Sequence, residues 1–94
     1  MLVSAASIWE LAIKEEQGRL RVPPDFLPLI GETGFGALPI TLEHGAEAAR
    51  LPPHHRDPFD RMLVAQARLE GLTLVTADAG LGAYDVRILP VARP

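Results

Sequence analysis

The sequence predicts an α/β domain whose mostly parallel sheet is flanked by helices, because short apolar segments alternate with longer amphipathic ones. The clearest strand, residues 72–76, is rich in β-branched residues and follows a helical segment that Gly71 ends. Apolar residues make up 48% of the chain, which is enough to form a core. A length of 94 residues allows one domain at most, so residues 1–94 are expected to form a single domain.

Composition narrows the classes of protein that the chain can belong to. The formal net charge is -3, so binding of nucleic acid requires a local basic patch or a metal ion. The chain has no cysteine, which excludes disulfides and thiolate zinc sites and is consistent with a reducing cytoplasm. No apolar run approaches membrane-spanning length. A signal peptide is not expected, because no basic residues precede the first apolar ones and Glu10 interrupts them.

The first elements are expected to be the end of a strand and then a helix. Residues 2–4 have strand character. Ser7 is expected to start the helix, with Glu10 in the first turn at capping-box spacing, and Gly18 is expected to end it. The chain is therefore expected to begin inside the domain, after the domain's first elements.

The middle of the chain predicts a short helix, a short strand and a longer helix. Asp25 can cap a helix that runs through Ile30. Residues 37–40 are a strand candidate, although a proline within them disfavours a central position in a sheet. Thr41 can cap a helix that runs to about Arg50.

The C-terminal part of the chain carries the strongest local signals. Asp57 is expected to be the N-cap of a helix that has Pro58 at its first position. Gly71 ends this helix, and residues 72–76 form the next strand. Residues 87–91 form the last predicted strand.

Three acids, Glu10, Asp60 and Asp78, are the candidate functional residues. Glu10 and Asp60 are expected at the starts of helices, and Asp78 follows a strand. Ligands of open α/β sheets bind outside the carboxyl ends of the strands, so the three carboxylates are expected to converge on one cleft. Carboxylate oxygens suit a hard divalent ion such as Mg²⁺ or Mn²⁺, which relieves their repulsion and polarises a phosphoryl oxygen.

Each acid also has a purely structural explanation. Glu10 can complete the capping box with Ser7, and Asp57 can be an N-cap rather than a ligand. Asp60 can simply complement the helix dipole, and Asp78 can be a turn or cap residue. Spacing alone leaves these alternatives open.

The histidines and arginines near Asp60 are also ambiguous. His54 and His55 are adjacent in the sequence, and adjacent histidines seldom share one ion, so they are expected in a polar loop. Arg56, Arg61 and Arg68 can contact phosphate or pair with neighbouring acids. They remain candidates for either role.

Three segments in this order resemble the motif blocks of a known nuclease family. Residues 4–14 (SAASIWELAIK) resemble the second block of PIN-domain ribonucleases of the VapC toxin type. Residues 51–67 (LPPHHRDPFDRMLVAQA) resemble the third block, and residues 74–78 (LVTAD) together with Tyr84 resemble the fourth. The resemblance covers nearly the whole chain.

The resemblance implies a PIN-like fold and a metal-dependent endoribonuclease that hydrolyses RNA phosphodiesters with Mg²⁺ or Mn²⁺. It also implies the toxin component of a toxin–antitoxin system, a cytoplasmic homodimer with a small antitoxin protein as its partner. Carried over residue by residue, Glu10, Asp60 and Asp78 match the catalytic and metal-binding acids. Asp57 matches a cap beside the site, and Thr76 matches a polar residue next to the acids.

The same resemblance gives Arg61 a supporting role beside the acids, where an arginine or lysine would steady the phosphate.

Family members open with a strand that carries an essential aspartate, followed by a helix, and this sequence has no counterpart to either. It is shorter than the pattern by roughly 30 residues, about one strand–helix unit. The expectation is a truncated PIN-like domain without its first, central strand. The alternatives are a start site that lies upstream, a true remnant, or a second chain that fills the gap.

This departure keeps a second function open beside the ribonuclease. The 94-residue chain lacks one of the expected catalytic aspartates and is expected to have little nuclease activity by itself. The alternative is a non-catalytic PIN remnant that acts as a binding or oligomerisation module. The RNA target and the identity of any antitoxin do not follow from the sequence.

Overall fold

Helices and short parallel strands alternate in the computed structural model, which describes residues 2–32, 34–54, 56–76 and 78–90. Within these ranges there are four α-helices, one 3₁₀ helix and four strands. The chain divides into two compact units, residues 1–40 and residues 41–94, and each contains one two-stranded parallel sheet. The α/β class and the parallel pairing of residues 74–76 are therefore confirmed. No helix in the described part of the chain is long and apolar enough to cross a membrane.

The first unit places two helices between its two strands. Strand β1 pairs in parallel with β2, and Val3 lies opposite Ala37 in the register. Strand β2 overlaps the predicted strand at residues 37–40, but it begins one residue earlier and ends before Pro39, which has no N–H to donate within a strand. The elements of this unit are β1 (Leu2–Ser4), α1 (Ala5–Glu16), α2 (Phe26–Glu32) and β2 (Gly36–Leu38).

The N-cap of helix α1 lies three residues before Ser7, so the predicted start at Ser7 is wrong. The N-cap is Ser4, whose hydroxyl accepts a hydrogen bond of 3.0 Å from the backbone N–H of Ala6. Ser4 has an extended backbone because β1 ends there, and Ser7 already lies inside the helix. Glu10 is consequently outside the first turn and forms no capping box with Ser7. The predicted end is confirmed, since Gly18 follows the helix with φ +72°.

The second unit is built around two helices that pack against each other and a short sheet. The caps predicted at Thr41, Asp57 and Gly71 are confirmed. Strands β3 and β4 are shorter than the predicted strands at residues 72–76 and 87–91, and Val91 lies outside the described residues. The elements are α3 (Leu42–Arg50), α4 (Pro58–Glu70), β3 (Leu74–Thr76), the 3₁₀ helix (Ala79–Ala83) and β4 (Ile88–Pro90).

Among the described residues of this unit, helix α4 contributes more buried residues than any other element. Residues 64–67 are all buried, and Val64 and Ala65 have no exposed surface. Four consecutive buried residues cover more than one face of a helix, so α4 is enclosed on several sides. The buried apolar cluster consists of Leu51, Val64, Ala65, Ala67, Leu74, Leu81 and Tyr84.

A buried histidine joins the start of α3 to the end of α4. His44 is 1% exposed, and its Nδ1 accepts a hydrogen bond of 3.0 Å from the Thr41 backbone N–H. Because Nδ1 must be an acceptor there, the proton lies on Nε2, which donates to the Glu70 carboxylate at 3.0 Å. Gln66 Nε2 also approaches Nδ1, at 3.3 Å. The side chain therefore completes the capping box of α3 and holds α4 against it.

Two glycines of the second unit are expected to respond to alanine in opposite directions. Gly71 ends α4 with φ +66°, and a Cβ there would meet nothing within 4 Å. Gly71→Ala should lower the free energy of unfolding by about 1 kcal/mol, because the left-handed backbone strains an L-residue. Gly45 lies inside α3 with equally open surroundings, so Gly45→Ala should raise that free energy by about 0.5–1 kcal/mol. Urea denaturation measures both, and equal effects would contradict the assignment.

Candidate functional site

The first turn of α4 is fixed by Asp57, as the sequence predicted. Asp57 Oδ1 accepts hydrogen bonds from the backbone N–H groups of Phe59 at 2.8 Å and Asp60 at 3.2 Å. Pro58 occupies the first helical position, where a missing N–H costs nothing. The N-cap prediction for Asp57 is confirmed by these bonds. Its supporting role beside a metal stays a prediction.

Asp60 occupies the third position of α4. The acid lies in the first turn, where the partial positive charge of the helix N-terminus complements a carboxylate. Its backbone N–H is held by Asp57, which fixes the direction of the Cα–Cβ bond. The residue is half-buried, so its position is constrained while part of its surface is accessible.

Asp78 lies just beyond the carboxyl end of β3 and also caps a helix. Its Oδ1 accepts a hydrogen bond of 2.9 Å from the Gly80 N–H at the start of the 3₁₀ helix. Its own N–H donates to the Thr76 hydroxyl at 3.0 Å. The cap explanation for Asp78 is therefore confirmed. It does not exclude metal binding, because a carboxylate has roughly four lone-pair positions and one backbone bond uses only one.

Arg61 follows Asp60, and its guanidinium binds the segment that ends α3. The Nη2 group donates to the carbonyls of Ala48 at 2.8 Å and Leu51 at 2.9 Å. The Nη1 group donates to the carbonyl of Pro52 at 3.1 Å and to the Tyr84 hydroxyl at 3.4 Å. Sequence reasoning missed these contacts, because the acceptors are backbone atoms and a tyrosine 23 residues away.

Glu10 belongs to the first unit and forms a surface ion pair on α1. Its Oε2 lies 3.2 Å from the Lys14 ammonium, at the i,i+4 spacing of a helix. Asp60 and Asp78 belong to the second unit. The predicted convergence of all three acids therefore stays a prediction. Among the residues that the structure describes, no group of three or more histidine, cysteine, aspartate or glutamate side chains could hold a metal ion.

The two acids of the second unit still have the donor chemistry that Mg²⁺ requires. Asp60 and Asp78 each start a helical element and are each half-buried. Protein sites commonly hold Mg²⁺ through one or two carboxylates, with water and substrate phosphate completing the shell. A pair of aspartates fits this pattern without a third protein ligand.

The other polar residues singled out in the sequence have structural contacts. The rings of His54 and Tyr84 meet edge to face, with centroids 5.1 Å apart. His55 lies outside the described residues. Arg68 lies 4.0 Å from the Glu47 carboxylate, at the limit of an ion pair, and Arg56 is exposed. Arg56 and Arg68 are both exposed, so either can be reached by a phosphate.

The pKa of Glu43, in the first turn of α3, is lowered by hydrogen bonds at the helix start. The bond to its own backbone N–H is the largest cause, and the Thr41 hydroxyl adds to it. Glu43 is an exposed residue of a helix start, so the shift reflects capping.

Substitutions at Asp57 separate capping from metal binding. Asp57→Ala should lower the free energy of unfolding by about 1 kcal/mol, because two N–H groups of α4 lose their acceptor. Asp57→Ser retains a cap and should cost much less. Chemical denaturation measures the change in the free energy of unfolding, and calorimetric titration with Mn²⁺ tests whether Asp57 binds the metal. A stable Asp57→Ser variant that no longer binds Mn²⁺ would show that Asp57 is a ligand.

Comparison with known proteins identifies a family. No curated protein matches the chain, and no solved structure does. The family model described as PIN domain matches residues 1–87, which is most of the 94 residues and includes Glu10, Asp60 and Asp78. The helices and short parallel strands described above agree with the α/β fold of that family. The chain therefore belongs to the PIN-domain family.

Proposed function

We propose that this PIN domain is a metal-dependent endoribonuclease that hydrolyses RNA phosphodiesters, as the toxin of a VapC-type toxin–antitoxin pair. PIN domains are commonly divalent-metal-dependent nucleases, which supports the general activity. The observation that carries the proposal is the placement of Asp60 and Asp78. Each carboxylate lies at the start of a helical element in one compact unit, where the backbone fixes it.

The proposed metal ligands are Asp60 and Asp78, with Glu10 as the third acid of the site. Bound Mg²⁺ or Mn²⁺ supplies positive charge that neutralises the phosphodiester and favours attack by water. The side chains that hold the acids complete the site. The Thr76 hydroxyl binds the Asp78 N–H, and Asp57 binds the Asp60 N–H.

The charge of the chain supports a metal-dependent mode of RNA binding. A formal net charge of -3 provides no general attraction for a polyanion. Carboxylates alone would repel phosphate, and a divalent ion held by them would supply the positive charge that RNA binding needs. The exposed Arg56, next to the Asp57 cap, is the proposed contact for a neighbouring phosphate.

The biological setting follows from the resemblance to VapC-type toxins. We propose a small antitoxin as the protein partner, a homodimer as the assembly and the cytoplasm as the location. We further propose that the two compact units belong to one domain spanning residues 1–94. The family match supports this, because it runs continuously across the boundary between them.

One observation favours a second candidate function, a binding or oligomerisation module without catalysis. Val75 and Leu89 lie opposite each other in the β3–β4 register, and they are 46% and 54% exposed. Parallel sheets are usually covered on both faces, so an exposed apolar pair marks a surface that another element can cover. This observation leaves the chemistry of the acids unexplained, and the ribonuclease remains the first proposal.

Cleavage assays on single-stranded RNA distinguish the two functions. A full-length protein that includes the expected first strand should cleave with Mg²⁺ or Mn²⁺ and stop in EDTA, whereas residues 1–94 alone are expected to show little cleavage. Asp60→Asn and Asp78→Asn should each lower the rate by about 100-fold or more, because a charged metal ligand is lost. Both variants should remain folded, since asparagine at position 78 can still cap the 3₁₀ helix.

The matched control is Glu47→Gln, which removes an acid of α3 that lies near Arg68. It should leave the cleavage rate unchanged. Cleavage that resists EDTA, or that survives both aspartate substitutions, would contradict the proposed mechanism. A folded full-length protein that cleaves no RNA would favour the binding module.

A further inference from the structure

We propose that Arg61 is a positioning residue that aligns Asp60 with Asp78 through its hydrogen bond to the Tyr84 hydroxyl. This inference rests on the proposed function and deepens it. It assigns to Arg61 a structural task at the metal site in place of direct contact with phosphate. The argument depends on contacts within residues 41–94 alone.

Both terminal nitrogens of Arg61 are engaged by the protein. Nη2 donates to two carbonyls, those of Ala48 and Leu51, and Nη1 donates to the Pro52 carbonyl and to Tyr84. Each terminal nitrogen carries two hydrogens, so every one of these hydrogens has an acceptor. A guanidinium engaged in this way has little capacity to bind a phosphate bidentately. It is instead held against the end of α3 and the Tyr84 hydroxyl.

Tyr84 is firmly connected to Asp78 through the 3₁₀ helix. Asp78 caps the N-terminus of this helix and Tyr84 caps its C-terminus. The Leu81 N–H donates to the Asp78 carbonyl, and the Tyr84 N–H donates to the Leu81 carbonyl, each at 3.2 Å. Leu81 and Tyr84 are 1% and 3% exposed, so both are anchored in the core. A displacement of Tyr84 is therefore transmitted to Asp78.

The hydrogen bond between Arg61 and Tyr84 thus connects the residue that follows Asp60 with the 3₁₀ helix that Asp78 caps. Mg²⁺ requires ligand oxygens at about 2.0–2.1 Å with near-octahedral geometry, so small shifts between two carboxylates weaken binding. Functional groups generally need positioning to within about 0.5 Å, which packing and hydrogen bonds of neighbouring residues provide. Arg61 and Tyr84 supply such a constraint between α4 and the 3₁₀ helix.

Tyr84→Phe is the sharpest test, because it removes the hydroxyl and retains the buried ring. The full-length protein is titrated with Mn²⁺ alone, and its thermal unfolding is measured in parallel. The variant should bind Mn²⁺ roughly three- to ten-fold more weakly, at the lower end of effects from residues that support metal ligands. Arg68→Gln, which removes another arginine of α4, is the matched control and should leave Mn²⁺ affinity unchanged.

A coupling measurement separates positioning from general destabilisation. In an Asp78→Asn background the alignment no longer matters, so adding Tyr84→Phe should cause no further loss of Mn²⁺ affinity. An equal loss in both backgrounds would overturn the inference. Arg61→Lys keeps the charge but cannot serve all four acceptors, and it should weaken Mn²⁺ binding at least as much as Tyr84→Phe. It provides the second test where Tyr84→Phe proves unstable.

The outcomes also distinguish this inference from the proposed function. Mn²⁺ binding that is weakened in Asp60→Asn and Asp78→Asn but unchanged in Tyr84→Phe and Arg61→Lys would overturn the positioning role alone. Mn²⁺ binding that none of the four substitutions changes would overturn both the positioning role and the proposed metal site.

Discussion

The carbonyl groups at the end of α3 have to find hydrogen-bond donors, and the guanidinium of Arg61 provides them. The last carbonyls of any helix lack partners within the helix, and a cation is the most favourable group to place beside them. Because Arg61 belongs to the first turn of α4, satisfying Ala48 and Leu51 also fixes where α4 begins. His44 makes the complementary connection at the other end, between the start of α3 and Glu70. The two helices are thus joined at both ends by polar contacts around an apolar core.

The acids of the second unit are positioned by the same backbone groups that begin its helices. Asp57 and Asp78 each accept hydrogen bonds from backbone N–H groups, and Asp60 lies in the first turn of α4. Such residues stabilise a helix start whether or not a metal is bound, so their presence alone does not demonstrate a site. Family membership adds the reason to expect metal chemistry from them. Structural and chemical roles are compatible because one carboxylate offers several acceptor positions.

Sequence reasoning succeeded where the deciding interactions are local. The cap at Asp57 and the helix end at Gly71 depend on neighbouring residues, and both were predicted correctly. The start of α1 was predicted wrongly because Ser4 and Ser7 are equally suitable N-caps. The end of β1 at Ser4 determines which of the two serines caps the helix. The candidate acids were proposed from helix and strand ends together with the resemblance to PIN-domain nucleases, and their metal-binding role stays a prediction. The contacts of Arg61 could not be predicted, since they join residues distant in sequence through backbone carbonyls.

The central claim is that Asp60 and Asp78 hold one divalent ion. The most direct measurement is an anomalous difference map from crystals of the full-length protein grown with Mn²⁺. The account predicts a single strong peak with carboxylate oxygens of both aspartates within roughly 2.0–2.6 Å. A peak bound elsewhere on the protein, or an ordered site region with no peak at saturating Mn²⁺, would contradict it.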